Sequence, residues 1–142
     1  MKVKFDTQLF VDGSIQATAQ VIKGAREGME DAMKRFKSDA LDASPSCPEL
    51  SGSLRDAHHI SVYENSSGFV GELRVDGIPY AASLHEGISR WGSPYLKWTR
   101  PGSGPHWISS KLITYRADYD RAIRSGLSKA LRSIKGIFRW RR

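Results

Sequence analysis

The chain's 142 residues suffice for one ordinary domain with a modest core; at 39% hydrophobic and 26% charged they are expected to fold rather than stay disordered. No apolar run approaches the ~20 residues of a membrane span, and Met1-Lys2-Val3-Lys4-Phe5-Asp6 has no apolar stretch behind its charge, so neither a membrane segment nor a secretory leader is expected. The single cysteine, Cys47, excludes an internal disulfide and a cysteine-based zinc site, and the net charge of +7 is uneven: residues 111–142 hold ten Lys/Arg against Asp118 and Asp120.

Residues 2–11 read as a short edge strand, with Asp12-Gly13-Ser14 offering a turn and an N-cap. From Ile15 the apolar positions step by three and four through Ala19, Ile22, Ala25, Met29, Ala32 or Met33, Phe36 and Ala40, which predicts a long helix over 14–41. Gly24 and Gly28 each weaken it by ~1 kcal/mol relative to Ala, and would let a neighbouring backbone approach closely. Pro45 and Pro48 then force a loop.

Ile60 and Val62 alternate with Ser61 and Tyr63, Asn65-Ser66-Ser67-Gly68 supplies turn chemistry, and Phe69, Gly71, Leu73 and Val75 alternate in turn. That pattern predicts a hairpin with one half-buried face. Asp76-Gly77 leads into Ile78–Ala82, read as a further strand, and residues 87–105 carry no period. This stretch is long and aromatic, which points to a loop that binds something. After Pro105 helical spacing returns from Ile108 to Phe138; a helix over 106–136 would be ~45 Å long, with a break expected near Ala117-Asp118. The expected architecture is α+β: a small antiparallel sheet packed by a long N-terminal and a long C-terminal helix, with a long aromatic loop, in one domain spanning 1–142.

No catalytic constellation emerges. His58 and His59 are neighbours on a strand and point to opposite faces, His85-Glu86 has no second His at helical spacing, and His106 stands in the aromatic loop. These are read as hydrogen-bonded or surface histidines. Cys47 has no charged sequence neighbour to activate it, no phosphate-binding loop is present, and the Ser-Gly pairs lack a hydrolase elbow's context. No enzyme activity, cofactor or metal is expected.

The aromatic residues say more. Trp91, Tyr95, Trp98 and Trp107 fall in or beside the unpatterned loop and are candidate protein–protein anchors, with capping of the domain's own core as the alternative. At the other end, Arg132, Lys135, Arg139, Trp140, Arg141 and Arg142 make a basic surface suited to DNA or an acidic protein, although a solvated helix face gives the same pattern.

Three blocks of the chain resemble a known family. Ala43-Ser44-Pro45 followed by Glu49-Leu50-Ser51-Gly52-Ser53-Leu54-Arg55-Asp56 resembles the "A-x-x-P…T-G-x-L-R-x-S" signature of the head–tail joining proteins of tailed bacteriophages. These proteins go by the names neck, tail-completion, minor capsid and tail-component protein. Ile78-Pro79-Tyr80-Ala81-Ala82-Ser83-Leu84-His85-Glu86-Gly87 resembles the family's "Y-A-x-x-x-H/E-x-G" segment, and Gly104-Pro105-His106-Trp107-Ile108 with Leu112 stands where it has a helix start. The resemblance covers roughly residues 14–135, and the 88–104 loop is longer and richer in Trp than the family pattern.

It implies a non-enzymatic virion subunit, made in the host bacterial cytoplasm. The subunit would repeat as a ring of about six or twelve copies at the head–tail junction, with heterologous contacts that close. Its implied partners are copies of itself, a head-closure or adaptor protein, a tail-terminator or tail-tube protein, and genomic DNA in the lumen, with no membrane. The residues alone leave a second reading open: a free-standing nucleic-acid-binding module that uses the basic C-terminal helix.

Overall fold

The computed structural model describes residues 7–49 and 51–137. The chain runs α1 (Thr7–Asp42), α2 (Ser53–Asp56), β1 (His58–Asn65), β2 (Gly68–Val75), α3 (Ala81–Glu86), α4 (Ser109–Thr114) and α5 (Arg116–Ile137). This is an α+β fold in which two long helices and one two-stranded antiparallel sheet share a core.

Helix α1 carries the 3.6-residue stripe but starts earlier than its spacing predicts. Residues 7–11, expected in a strand, are its first turns, and residues 2–6 lie outside the described residues. Asp12-Gly13-Ser14 runs through as helix because propagation adds one hydrogen bond per residue fixed, which outweighs ~1 kcal/mol for an internal glycine.

Antiparallel α5 crosses α1 where both lack side chains. A Cβ on Gly28 would stand 2.6 Å from the Ile123 carbonyl oxygen, and one on Gly126 would stand 2.7 Å from Gly28 Cα. The glycines cost helix propensity and gain backbone contact. Further along, Phe36 meets Tyr119 edge-to-face at 5.5 Å, and the Tyr119 hydroxyl donates to Asp39 at 2.9 Å.

The hairpin pairs His58 with Val75 through Asn65 with Gly68. Its two-residue turn is closed by the Ser67 amide donating to Asn65 Oδ1 at 2.8 Å. Period-two alternation turns Ile60, Val62 and Leu73 toward Met29, Met33 and Phe36 of α1. A second core, of Ala40, Cys47, Leu54, Ala81 and Trp107, fills the other end of the sheet.

Two other expectations shift. Ile78–Ala82 is a turn and a helix start, not a strand: Pro79 lacks a donor and the Ala81 amide bonds back to Ile78 at 3.0 Å. The C-terminal helix is two, α4 and α5, broken at Tyr115 (φ −112°, ψ 14°), two residues before the expected place.

Candidate functional site

Residues 88–104 form an excursion whose neck is built before its tip. Gly87 ends α3 in the left-handed conformation (φ 70°), and the Ile88 amide bonds back to Ser83 at 2.9 Å. At the other side of the neck the His106 amide donates to the His85 carbonyl at 2.7 Å, and Pro105 lies against Gly87, where a Cβ would come within 2.9 Å.

Trp107 corrects an expectation. It was a candidate surface anchor, yet it is 0% exposed at the centre of the second core. Its indole Nε1–H donates to His58 Nε2 at 3.1 Å, and His58 Nδ1 pairs with the Leu54 carbonyl at 2.7 Å. These partners fix one neutral tautomer, with the proton on Nδ1. Burial pushes the His58 pKa down, against the opposing pull of the Leu54 and Arg55 backbone hydrogen bonds. A buried tryptophan needs an acceptor, and His58, expected as a hydrogen-bonded or surface histidine, is that acceptor.

Lys111 is a second surprise. Counted with the basic tail, it is 1% exposed, and its ammonium donates to the Pro45 carbonyl at 2.9 Å. Burial lowers its pKa, and the nearby Asp39 carboxylate raises it. Cys47 is buried beside this contact, and desolvation lifts its thiol to about 11, in line with an inert role.

The loop itself is tied rather than slack. Ser89 Oγ accepts from the amides of Trp91 (3.3 Å) and Ser93 (3.2 Å), and the Tyr95 amide donates to Gly87 at 2.9 Å. Thr99 Oγ1 donates to the Glu49 carbonyl at 2.7 Å, and Arg100 reaches the Glu49 carboxylate at 3.2 Å. Tyr95 and Trp98 pack together at 5.8 Å and, with Tyr80, Leu84 and Pro48, line a cleft of ≈ 200 Å³. Trp91 stands apart at 78% exposure, under the Arg90 guanidinium at 4.4 Å, and Leu96 is 88% exposed. Large apolar side chains in water at the tip of an ordered loop are what a protein contact uses.

The basic surface is on α5. Arg121, Arg124, Arg132 and Lys135 are all exposed, and at 3.6 residues per turn they share about 80° of the helix, opposite the α1-facing side that holds Ala122, Gly126 and Ala130. Asp118 pairs with Arg121 at 2.9 Å. Arg139, Trp140, Arg141 and Arg142 lie outside the described residues. The loop docks near the C-terminal end of α1, where the Cys47 amide bonds to Ala40, whereas Ala130 lies against Gly24. The far, C-terminal end of the stripe therefore lies level with Gly24, 16 positions before Ala40, or ~24 Å back along α1, while its Arg121 end lies between the levels of Gly28 and Phe36.

His58 and His59 point to opposite faces as expected, one buried and one exposed. His85-Glu86 and His106 are far apart in the chain, and the structure brings them together, their ligand atoms within 4.8 Å of one another. Among the described residues no helix is long and apolar enough to cross a membrane. No family model, curated protein or solved structure matches the chain.

Proposed function

We propose that this chain is a non-enzymatic structural subunit of a tailed-phage virion, repeated in a ring at the head–tail junction that joins the capsid connector to the tail around the DNA channel. One observation carries the reading: the three blocks that resemble the head–tail joining family, far apart in sequence, meet around Trp107. Leu54 from the first block, Ala81 from the second and Trp107 from the third lie in one buried cluster, together with Cys47 from the stretch that interrupts the first block and departs from the family pattern. The Gly104 amide also bonds to Ser46, and the His106 amide to His85. Blocks that share a core are fold-defining, as the resemblance implies.

The surfaces fit a ring. Closed rings use heterologous contacts, so each subunit needs two unlike faces. The Trp91–Leu96 tip supplies one apolar face and the α5 stripe a basic one. The test is cryo-electron microscopy of the neck of the particle whose genome encodes the chain. Rotationally symmetric density that fits α1, α5 and the hairpin is expected. Absence of the chain from mature particles overturns the proposal.

The α5 stripe favours a second reading, nucleic-acid binding, which salt separates from the first. Affinity for DNA falls steeply between about 50 and 200 mM salt if several phosphates are contacted, whereas a contact through Trp91 does not.

A further inference from the structure

We infer that His85, Glu86 and His106 bind one divalent transition-metal ion of the zinc class at the neck of the 88–104 loop. This does not rest on the virion reading. The donor set is two imidazoles and one carboxylate, which suits zinc, nickel or copper rather than magnesium or calcium, whose sites are built of oxygens.

The geometry is close to what such an ion requires. His85 Nδ1 and Glu86 Oε1 are 3.3 Å apart. Two ligands on a tetrahedral zinc with bonds of about 2.0–2.1 Å stand about 3.3–3.4 Å from each other. The ligand atoms of all three residues lie within 4.8 Å of one another, so His106 needs only a modest ring rotation to close on the ion. Glu86 and His106 are exposed, which gives them that freedom and leaves a fourth position for water.

The surrounding structure holds the donors in place. The His85 ring makes T-shaped contacts with His106 (5.5 Å, 90°) and with the buried Trp107 (5.0 Å, 71°). His106 reaches this place through a left-handed backbone, φ 57°, the one positive φ at a non-glycine residue among those described, and its amide is tied to the His85 carbonyl at 2.7 Å. A surface His–carboxylate pair needs no such third partner, twenty-one residues away in the chain. Without an ion, His85 Nε2 accepts weakly from the Ser109 amide at 3.4 Å, which puts the proton on Nδ1. Binding through Nδ1 requires the other tautomer: Nδ1 gives its proton to solvent, Nε2 takes one, and the weak contact with the Ser109 amide is given up. An ion here would staple the end of α3 to the approach to α4 and fix the loop's neck.

The test is isothermal titration of the full chain with zinc chloride, alongside thermal unfolding with and without zinc. One equivalent is expected to bind, with a melting temperature raised by zinc and restored by chelator. Copper(II) should quench tryptophan fluorescence, because Trp107 touches His85. Glu86→Gln and His106→Gly, the latter compatible with the left-handed backbone, should each weaken zinc at least ~100-fold, the upper end of what losing even an outer-shell partner costs. His59→Gln should leave affinity unchanged. Absence of saturable binding overturns the site, as does binding that survives both Glu86→Gln and His106→Gly. If His106→Gly fails to fold, Glu86→Gln at the exposed carboxylate decides alone.

Discussion

The neck and the tip of the aromatic loop are made of the same residue types and behave in opposite ways. Trp107 at the neck is fully buried and hydrogen-bonded to His58, whereas Trp91 at the tip is 78% exposed, with the Arg90 guanidinium over its ring. Gly87 and Gly92 repeat the contrast: both have positive φ, but a Cβ on Gly87 would meet Pro105 at 2.9 Å and one on Gly92 would meet nothing within 4 Å. The difference teaches that residue type does not assign these positions to core or interface. The availability of a partner does. The neck has a strand, a proline and an acceptor imidazole around it, and the tip has water.

That contrast can be broken by substitution. Trp107→Ala should cost ~3–5 kcal/mol of stability in urea denaturation, from lost burial plus the cavity and the unpaired His58. Trp91→Ala should stay within about 0.5 kcal/mol in the same assay, yet weaken assembly into particles. A large stability loss from Trp91→Ala would mean that the tip belongs to the fold after all. Next in size, Gly87→Ala should cost about 2–4 kcal/mol, adding the left-handed penalty to overpacking against Pro105, while Gly92→Ala should carry only the backbone part, about 1–2 kcal/mol.

A pH titration sharpens the same comparison. His58 has a folded-state pKa below its unfolded value of about 6.5, so the unfolded chain binds the extra proton first. Stability should therefore be unaffected by this group above that pH and fall as the pH drops below it, down to the depressed folded value. The main cause is burial of the imidazole, and a proton on Nε2 would also face the Trp107 N–H. His58→Gln should flatten that part of the melting-temperature profile. The smallest effect is chemical: with its thiol lifted to about 11 and buried, Cys47 should react with a disulfide reagent at pH 8 only after unfolding. Prompt labelling of the native chain would show that the neck opens.

Much of the frame was legible. The period of 3.6 across Met29, Met33, Phe36 and Ala40 gave the core face of α1, and the glycines at 24 and 28 marked the place where α5 comes close. The hairpin followed from period two and from Asn65 at its turn. Illegible were the strand expected at residues 7–11, which is helix, and the strand expected at 78–82, which leads into α3. Turn-forming residues such as Asp12-Gly13 are permissive rather than decisive, and the helix simply ran through them.

The sequence by itself determined the core face of α1, the hairpin and the concentration of positive charge in its last quarter, because these depend on residues within a few positions of each other. Tertiary structure alone decided that Trp107 lies inside and Trp91 outside, that Lys111 leaves the basic surface to bond Pro45, and that His106 meets His85 and Glu86. Those outcomes pair residues that are far apart in the chain, and the pairing energy of a donor with its acceptor, or of a ring with its cavity, has no period to be read.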